Sequence, residues 1–233
     1  MRAPACLFMC SDALTHANTR VPISMTQDWD SRNGYRARGI TLKLTSAIAQ
    51  QKLLSVEDMK EVQLDTTSQL AIDLKSVLTL LPIGSLTNSA QDWQKRLLSW
   101  NDDMEVGSRE GSMFAAWTVE LSKLVATETG RAYWSDWAFL RSAYTSGDPS
   151  CGGEGDIQAC GAQAAAALNA AVKRLGGGSV DWGDSVHLAH FAHPTLGKGP
   201  LSCLCNRKLR HGGDESSANV GGFDPASRCT YNK

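Results

Sequence analysis

Apolar residues recur at helical spacing through the middle of this chain and lose that period towards both ends. Ile40, Leu44 and Ile48 predict a helix over Tyr35 to Gln51, with Gly39 inside it. Ser55-Val56-Glu57-Asp58 has the form of an N-cap with an acid three residues on. Behind it Met59, Val62, Thr66, Leu70, Leu74, Val77, Leu78 and Leu81 make a near-continuous apolar stripe, which Pro82 and Gly84 stop. Ser89 and Asp92 mark another helix start, and Trp93, Leu97 and Trp100 give it a short face to bury. Ser112 to Thr127 places Phe114, Trp117, Leu121 and Leu124 on one side. Asp156 to Leu175 is rich in alanine, with Ile157, Ala164, Leu168, Val172 and Leu175 in phase. Gly176-Gly177-Gly178 ends it, because glycine takes the left-handed conformation on which helices close.

After Gly178 the pattern changes. Glycines, prolines and short runs such as Leu201 to Cys205 and Ser217 to Val220 predict strands and loops. The fold class is therefore α+β: a helical layer followed by a few C-terminal strands, which would pair with a sheet that is mostly missing. The tryptophans read as core residues, and Ala164 to Ala167 as helix propensity rather than chemistry. No internal repeat stands out.

Composition narrows the class without naming a function. A chain of 233 residues can bury a sizeable core, and 42% hydrophobic with 20% charged residues is ordinary for a globular protein. The net charge of −1 gives no reason to expect nucleic acid or an anionic membrane as partner. No apolar run approaches the roughly 18 residues of a membrane span. Met1 to Cys10 carry one positive charge and then an apolar patch, but the patch is short and Pro4 interrupts it, so it makes no convincing signal peptide.

The seven cysteines are Cys6, Cys10, Cys151, Cys160, Cys203, Cys205 and Cys229, so at least one thiol is left unpaired within the chain. Cys151 and Cys160 flank Gly152-Gly153-Glu154-Gly155, a loop that could let them meet, and such a bridge points to an oxidising compartment such as the periplasm. Cys203-Leu204-Cys205 alternates like a strand with both thiols on one face. His187, His190 and His193 suggest zinc only weakly. Their spacing lacks the i, i+4 pair of a helical metal site, no Glu lies between them, and Pro194 follows at once. They read better as packing or hydrogen-bonding residues at a strand or turn. No Gly-x-Ser-x-Gly elbow supports a Ser-His-Asp triad.

Ala17-Asn18-Thr19-Arg20, followed by Asp28-Trp29-Asp30 and Tyr35-Arg36-Ala37-Arg38-Gly39-Ile40, resembles the Ala-Asn-Asn-Arg … Trp … Arg-Ala-x-Arg-Ile region of the penicillin acylase (penicillin amidase) family. Further landmarks follow in order. Leu53 to Met59 with Gln63 to Ser68 resembles a Leu-Ser-x-x-Asp … Gln-x-Asp-x-x-Ser region. Leu98 to Met104 stands where relatives read Trp-Asp-Gly; the glycine is missing, so a different turn is expected. Trp182-Gly183-Asp184-Ser185-Val186-His187 with Phe191-Ala192-His193-Pro194 is similar to Trp-Gly-x-x-His … Phe-x-His-Pro. Gly212-Gly213-Asp214 through Ala218-Asn219-Val220 is similar to Gly-Gly-Asp … Thr-x-Asn. The ending, Arg228 to Lys233, departs from the family, whose members run on into further sheet.

The resemblance implies part of an αββα N-terminal-nucleophile hydrolase fold with its sheet incomplete. It divides the chain into an oxyanion-hole strand and loop (1–34), a mainly helical part (35–175), and strands and loops (176–233). Asn18 would donate its amide to the oxyanion, and Thr19 departs from the usual second Asn. Arg36 would stand near the nucleophile, with Arg38 as the weaker alternative. Asp28, or Asp30 in its place, would give one carboxylate to a structural Ca²⁺ whose other ligands lie upstream. No cofactor is needed for the chemistry. The nucleophile, normally a Ser at the start of the large subunit, would lie upstream of Met1, so the chain reads as the C-terminal portion of that subunit. The expected partners are a small acyl-amide substrate, a β-lactam or an N-acyl homoserine lactone, and the remaining precursor segments. The intact protein would be periplasmic or secreted. Two other classes stay open: a non-enzymatic module binding a small ligand or a protein, and a zinc protein built on the histidines with Cys203 and Cys205.

Overall fold

The computed structural model describes residues 34–129, 137–151, 155–177, 180–183, 188–191 and 207–219. Among them the chain is mainly helical, with one short antiparallel strand pair. The helices are α1 (Tyr35–Ala49), α2 (Val56–Gln63), α3 (Gln69–Leu78), α4 (Asn88–Ser99), α5 (Arg109–Thr129), α6 (Trp137–Ser146) and α7 (Ile157–Arg174). The strands are β1 (Leu188–Phe191) and β2 (Arg207–Arg210), in a register that sets Leu188 against Arg210. These two strands pair with each other, whereas the sequence pattern leaves the C-terminal strands to a missing sheet. Ser217 to Asn219, open to either a strand or a loop, forms a bend.

Local signals account for most helix ends. The Ser55 hydroxyl accepts from Asp58 N–H while Asp58 accepts from Ser55 N–H at 2.8 Å, a reciprocal capping box that opens α2. Thr87, not Ser89, caps α4 by accepting from Ala90 N–H. Asp156 caps α7 through Gln158 N–H, and Gly176 and Gly177 follow it at φ 57° and 95°. The apolar stripe from Met59 to Leu81 is one continuous pattern but two helices. Residues 64–68 break it because Asp65 turns back to accept from Thr67, Thr67 bridges to Asp103, and Ser68 caps the new helix α3. Helix α6 carried no signal singled out from the sequence; it buries Trp137, Leu140, Ala143 and Tyr144.

One core joins these helices. Leu70, Leu74, Val77 and Leu78 of α3, Trp93 and Leu97 of α4, Phe114, Trp117 and Leu121 of α5, and Leu168 and Ala171 of α7 are all buried. The tightest pairing is α5 on α7. There Ala164, Ala165, Ala167 and Leu168 face inward, and the Trp117 indole donates to the Ala164 carbonyl at 3.2 Å. The alanines thus do more than favour helix: their small side chains let a tryptophan reach a neighbouring backbone. Gly161 does the same on another side of α7, where an added Cβ would sit 2.5 Å from the Leu80 carbonyl oxygen. Trp93, Trp117, Trp137 and Trp182 are core residues, as expected, and Trp100 packs partly buried against Phe114 with ring centroids 5.8 Å apart. Cys151 and Cys160 form a disulfide, Cα–Cα 5.3 Å, that ties the short turn after α6 to the first turn of α7.

Candidate functional site

Two places in the fold collect the residues that the sequence singles out. The first is the entrance to α1. Gly34, at φ 66°, turns the chain into the helix, and its carbonyl accepts from Arg38 N–H at 2.8 Å. A positive φ is what glycine enters without a steric penalty. Tyr35 then buries its ring, at 4% exposure, with its phenol in the field of the Asp73 carboxylate on α3. Burial first, and Asp73 second, push the phenol pKa upward, so the hydroxyl keeps its proton. Arg38 Nη1 donates to Asp73 Oδ1 at 2.9 Å. Arg36 stands exposed in the same first turn. Gly39 seats α1 on α3, since a Cβ there would lie 3.1 Å from Gln69 Cγ. Asn18, Asp28 and Asp30 lie outside the described residues, so Arg36 and its alternative Arg38 are the site residues of the sequence reading that have a place here. Arg38 is engaged with Asp73 and Arg36 faces solvent.

The second place is a junction of four loops, 64–68, 101–108, 180–183 and 211–219. Crossing backbone bonds stitch it together: Ser68 N–H to Asp102 O, Met104 N–H to Thr66 O, Gly183 N–H to Val106 O, Gly213 N–H to Met104 O, and Asn219 N–H to Asp65 O. The Trp182 indole donates to Gly213 O at 2.9 Å. Gly183 and Gly213 are required by space. A Cβ on Gly183 would fall 2.9 Å from Val106 Cα, and Gly213, at φ 80°, already lies against the Asn219 carbonyl.

At the centre of the junction is Asp214, 4% exposed. It accepts from the Ser68 hydroxyl at 2.7 Å, from the Ser216 and Ser217 N–H groups at 2.9 and 2.8 Å, and from the Ser216 hydroxyl at 2.9 Å. Burial raises its pKa, while the Ser68, Ser216 and Ser217 donors pull the other way. Because Ser68 also caps α3 by accepting from Ala71 N–H, this one carboxylate ties the 211–219 turn to the start of a core helix.

Asp102 supplies the backbone turn that the absent glycine of the Trp-Asp-Gly landmark leaves open. It takes φ 64°, a glycine-like conformation, with Asn101 before it. Asp and Asn enter that region more readily than other L residues. Lys75 Nζ secures the turn by donating to the Trp100 carbonyl at 2.6 Å and to Asp102 Oδ2 at 2.9 Å. Burial raises the Asp102 pKa, and Lys75 opposes the rise.

The chemistry at both places is hydrogen bonding and charge pairing. Among the described residues no cluster of three His, Cys, Asp or Glu side chains could hold a metal ion. His190 lies in β1, while His187, His193, Cys203 and Cys205 fall outside the described residues, so the zinc reading gains no geometry. Among the described residues no helix is long and apolar enough to cross a membrane.

The four landmarks centred on Asp65, Asp102, Trp182 and Asp214 therefore converge on one junction, in an order that only the folded chain explains. A profile of the family described as penicillin amidase matches residues 4–233. The chain belongs to the penicillin amidase family. The family is one of amide hydrolases. No curated protein matches the sequence directly. Sequence reasoning treated Asp214 as a family landmark and missed its role as a buried hub, although an Asp followed by Ser at the second and third positions is a turn signature that could have raised it. Asp73 had no such signal.

Proposed function

We propose that this chain forms part of a penicillin amidase-type hydrolase that cleaves an acyl-amide bond, in a β-lactam side chain or an N-acyl homoserine lactone, through an acyl-enzyme. The observation that carries the reading is the family match over residues 4–233. The nucleophile in this reading is a Ser at the start of the family's large subunit, which acts together with the small subunit and the remaining precursor segments. Its hydroxyl oxygen adds to the amide carbonyl carbon while its proton passes to the residue's own α-amino group. The C–N bond then breaks, and the amine leaves with that proton. Water repeats the addition at the ester and releases the acid.

In this reading Asn18 places an amide N–H where negative charge develops on the carbonyl oxygen, so its bond strengthens in the transition state. Arg36, exposed at the α1 entrance, supplies a permanent positive charge and a planar set of donors beside the nucleophile. The αββα layering and the division at 34 and 175 belong to the same reading. Asp28 would contribute one carboxylate to a structural Ca²⁺, whose other oxygen ligands come from the remaining segments; no step of the reaction passes through it. The Cys151–Cys160 disulfide supports an oxidising location, periplasmic or secreted.

The test is hydrolysis of chromogenic phenylacetyl and acyl-homoserine-lactone substrates. The 233-residue chain alone is expected to be inactive, and addition of the nucleophile-bearing segments is expected to restore turnover that Asn18→Ala lowers about a hundredfold or more. Robust turnover by the chain alone, or an unaffected Asn18→Ala enzyme, would contradict the assignment.

A further inference from the structure

We propose that Asp73 is a positioning residue for the Arg36 segment, its carboxylate gripping the first turn of α1 so that Arg36 is held at a fixed height and rotation on α3. The inference rests on the reading above, in which Arg36 works beside the nucleophile.

The geometry is simple. Tyr35 and Arg38 are i and i+3 on a helix and so share one face. Both turn that face to the same carboxylate: the guanidinium of Arg38 binds it at 2.9 Å, and the buried phenol of Tyr35 lies in its field. Arg36 lies between these two anchors in sequence, and a step of one residue turns it about 100° away from Tyr35. It therefore projects from a turn whose rotation is set by its neighbours. Gln69 and Gly39 add a close steric contact, because a Cβ at Gly39 would lie 3.1 Å from Gln69 Cγ. Arg141 of α6 adds positive potential at the Tyr35 phenol, opposing the pull of Asp73.

Asp73 is a poor candidate for a purely stabilising residue. Its pair with Arg38 is partly exposed, the Arg38 side chain at 46% and the Asp73 side chain at 19%, and such pairs contribute modestly to folding. What the pair supplies is registration. A carboxylate that binds Arg38 and faces the Tyr35 phenol bears on two points of one helical turn.

The experiment measures kcat and KM on a chromogenic acyl-amide substrate in the enzyme assembled from this chain and the nucleophile-bearing segments. Asp73→Asn and Tyr35→Phe are each expected to lower kcat about tenfold with KM changed less than about twofold, and Asp73→Glu is expected to recover part of the loss. Arg36→Ala in the same enzyme reports on the parent reading. If Arg36→Ala loses kcat while Asp73→Asn and Tyr35→Phe keep it, the positioning inference fails and the site assignment stands. If Arg36→Ala is as active as wild type, or wild type shows no turnover, the assignment fails and takes the inference with it. A rise in KM with kcat intact also overturns the inference, since it would mark lost binding rather than lost alignment. Should Asp73→Asn not fold, Tyr35→Phe carries the same decision, because it removes one oxygen and leaves the buried ring.

Discussion

Replacing Asp214 by alanine removes the acceptor from the centre of the loop junction. The Ser68 and Ser216 hydroxyls can turn to each other, being 2.9 Å apart, so one of them keeps a partner. The other hydroxyl and the N–H groups of Ser216 and Ser217 are left buried with nothing to donate to. Each stranded donor costs about 1–3 kcal/mol. Removing the carboxylate also relieves its own desolvation, which favours the lower part of the summed range. The expected loss is about 3–5 kcal/mol, or a fall in Tm of roughly 6–20 °C for a chain of this size. Urea denaturation of the chain, followed by tryptophan fluorescence, measures it. The midpoint should fall with the slope unchanged.

The pH dependence supplies a second readout with a defined sign. Burial raises the Asp214 pKa in the folded state. The folded chain therefore holds that proton more tightly than the unfolded one. The contribution is fully present below the ordinary carboxylate value of about 4 and is lost as pH rises through the raised value. Asp214→Asn cannot titrate, so the stability of wild type relative to this variant should decline with rising pH. A loss under about 1 kcal/mol for Asp214→Ala would refute the role assigned to the junction, and a wild-type advantage that grows with pH would show that the Ser68, Ser216 and Ser217 donors outweigh burial at this carboxylate.

The other predictions concern the helical layer. Reduction of the Cys151–Cys160 bridge, or Cys151→Ser with Cys160→Ser, should cost about 2.5–3 kcal/mol for a loop of this length, read as a shift in urea midpoint with and without reductant; an unchanged midpoint would count against the bridge as a staple. Gly161→Ala should destabilise by about 1–3 kcal/mol because its Cβ would meet the Leu80 carbonyl, even though alanine in an open helix would gain about 1 kcal/mol over glycine. A stabilised Gly161→Ala chain, by thermal melt, would show that α7 and the Leu80 turn are not in contact.

How far the chain could be read in advance depended on the range of each interaction. The Ser55–Asp58 box, the Asp156 cap and the glycines after Arg174 were legible because each signal and its partner lie within one helical turn, whereas α3 ends at Leu78, short of the stop read at Pro82. Burial of Trp117 and Leu168 followed from helical phase alone. The break at 64–68 was hidden because the apolar phase runs on across it, and what interrupts the helix is Asp103, far along the chain. Asp73 and Asp214 were illegible for the same reason. Asp73 meets Arg38 across 35 positions, and Asp214 meets Ser68 across 146. A lone aspartate on a helix or in a loop looks like a solvated charge until folding brings donors to it. Helix propensity, capping and family membership are carried by residue types and their order. The sites that hold Arg36 and the loop junction in place are made by pairs that only the folded chain brings within hydrogen-bond reach.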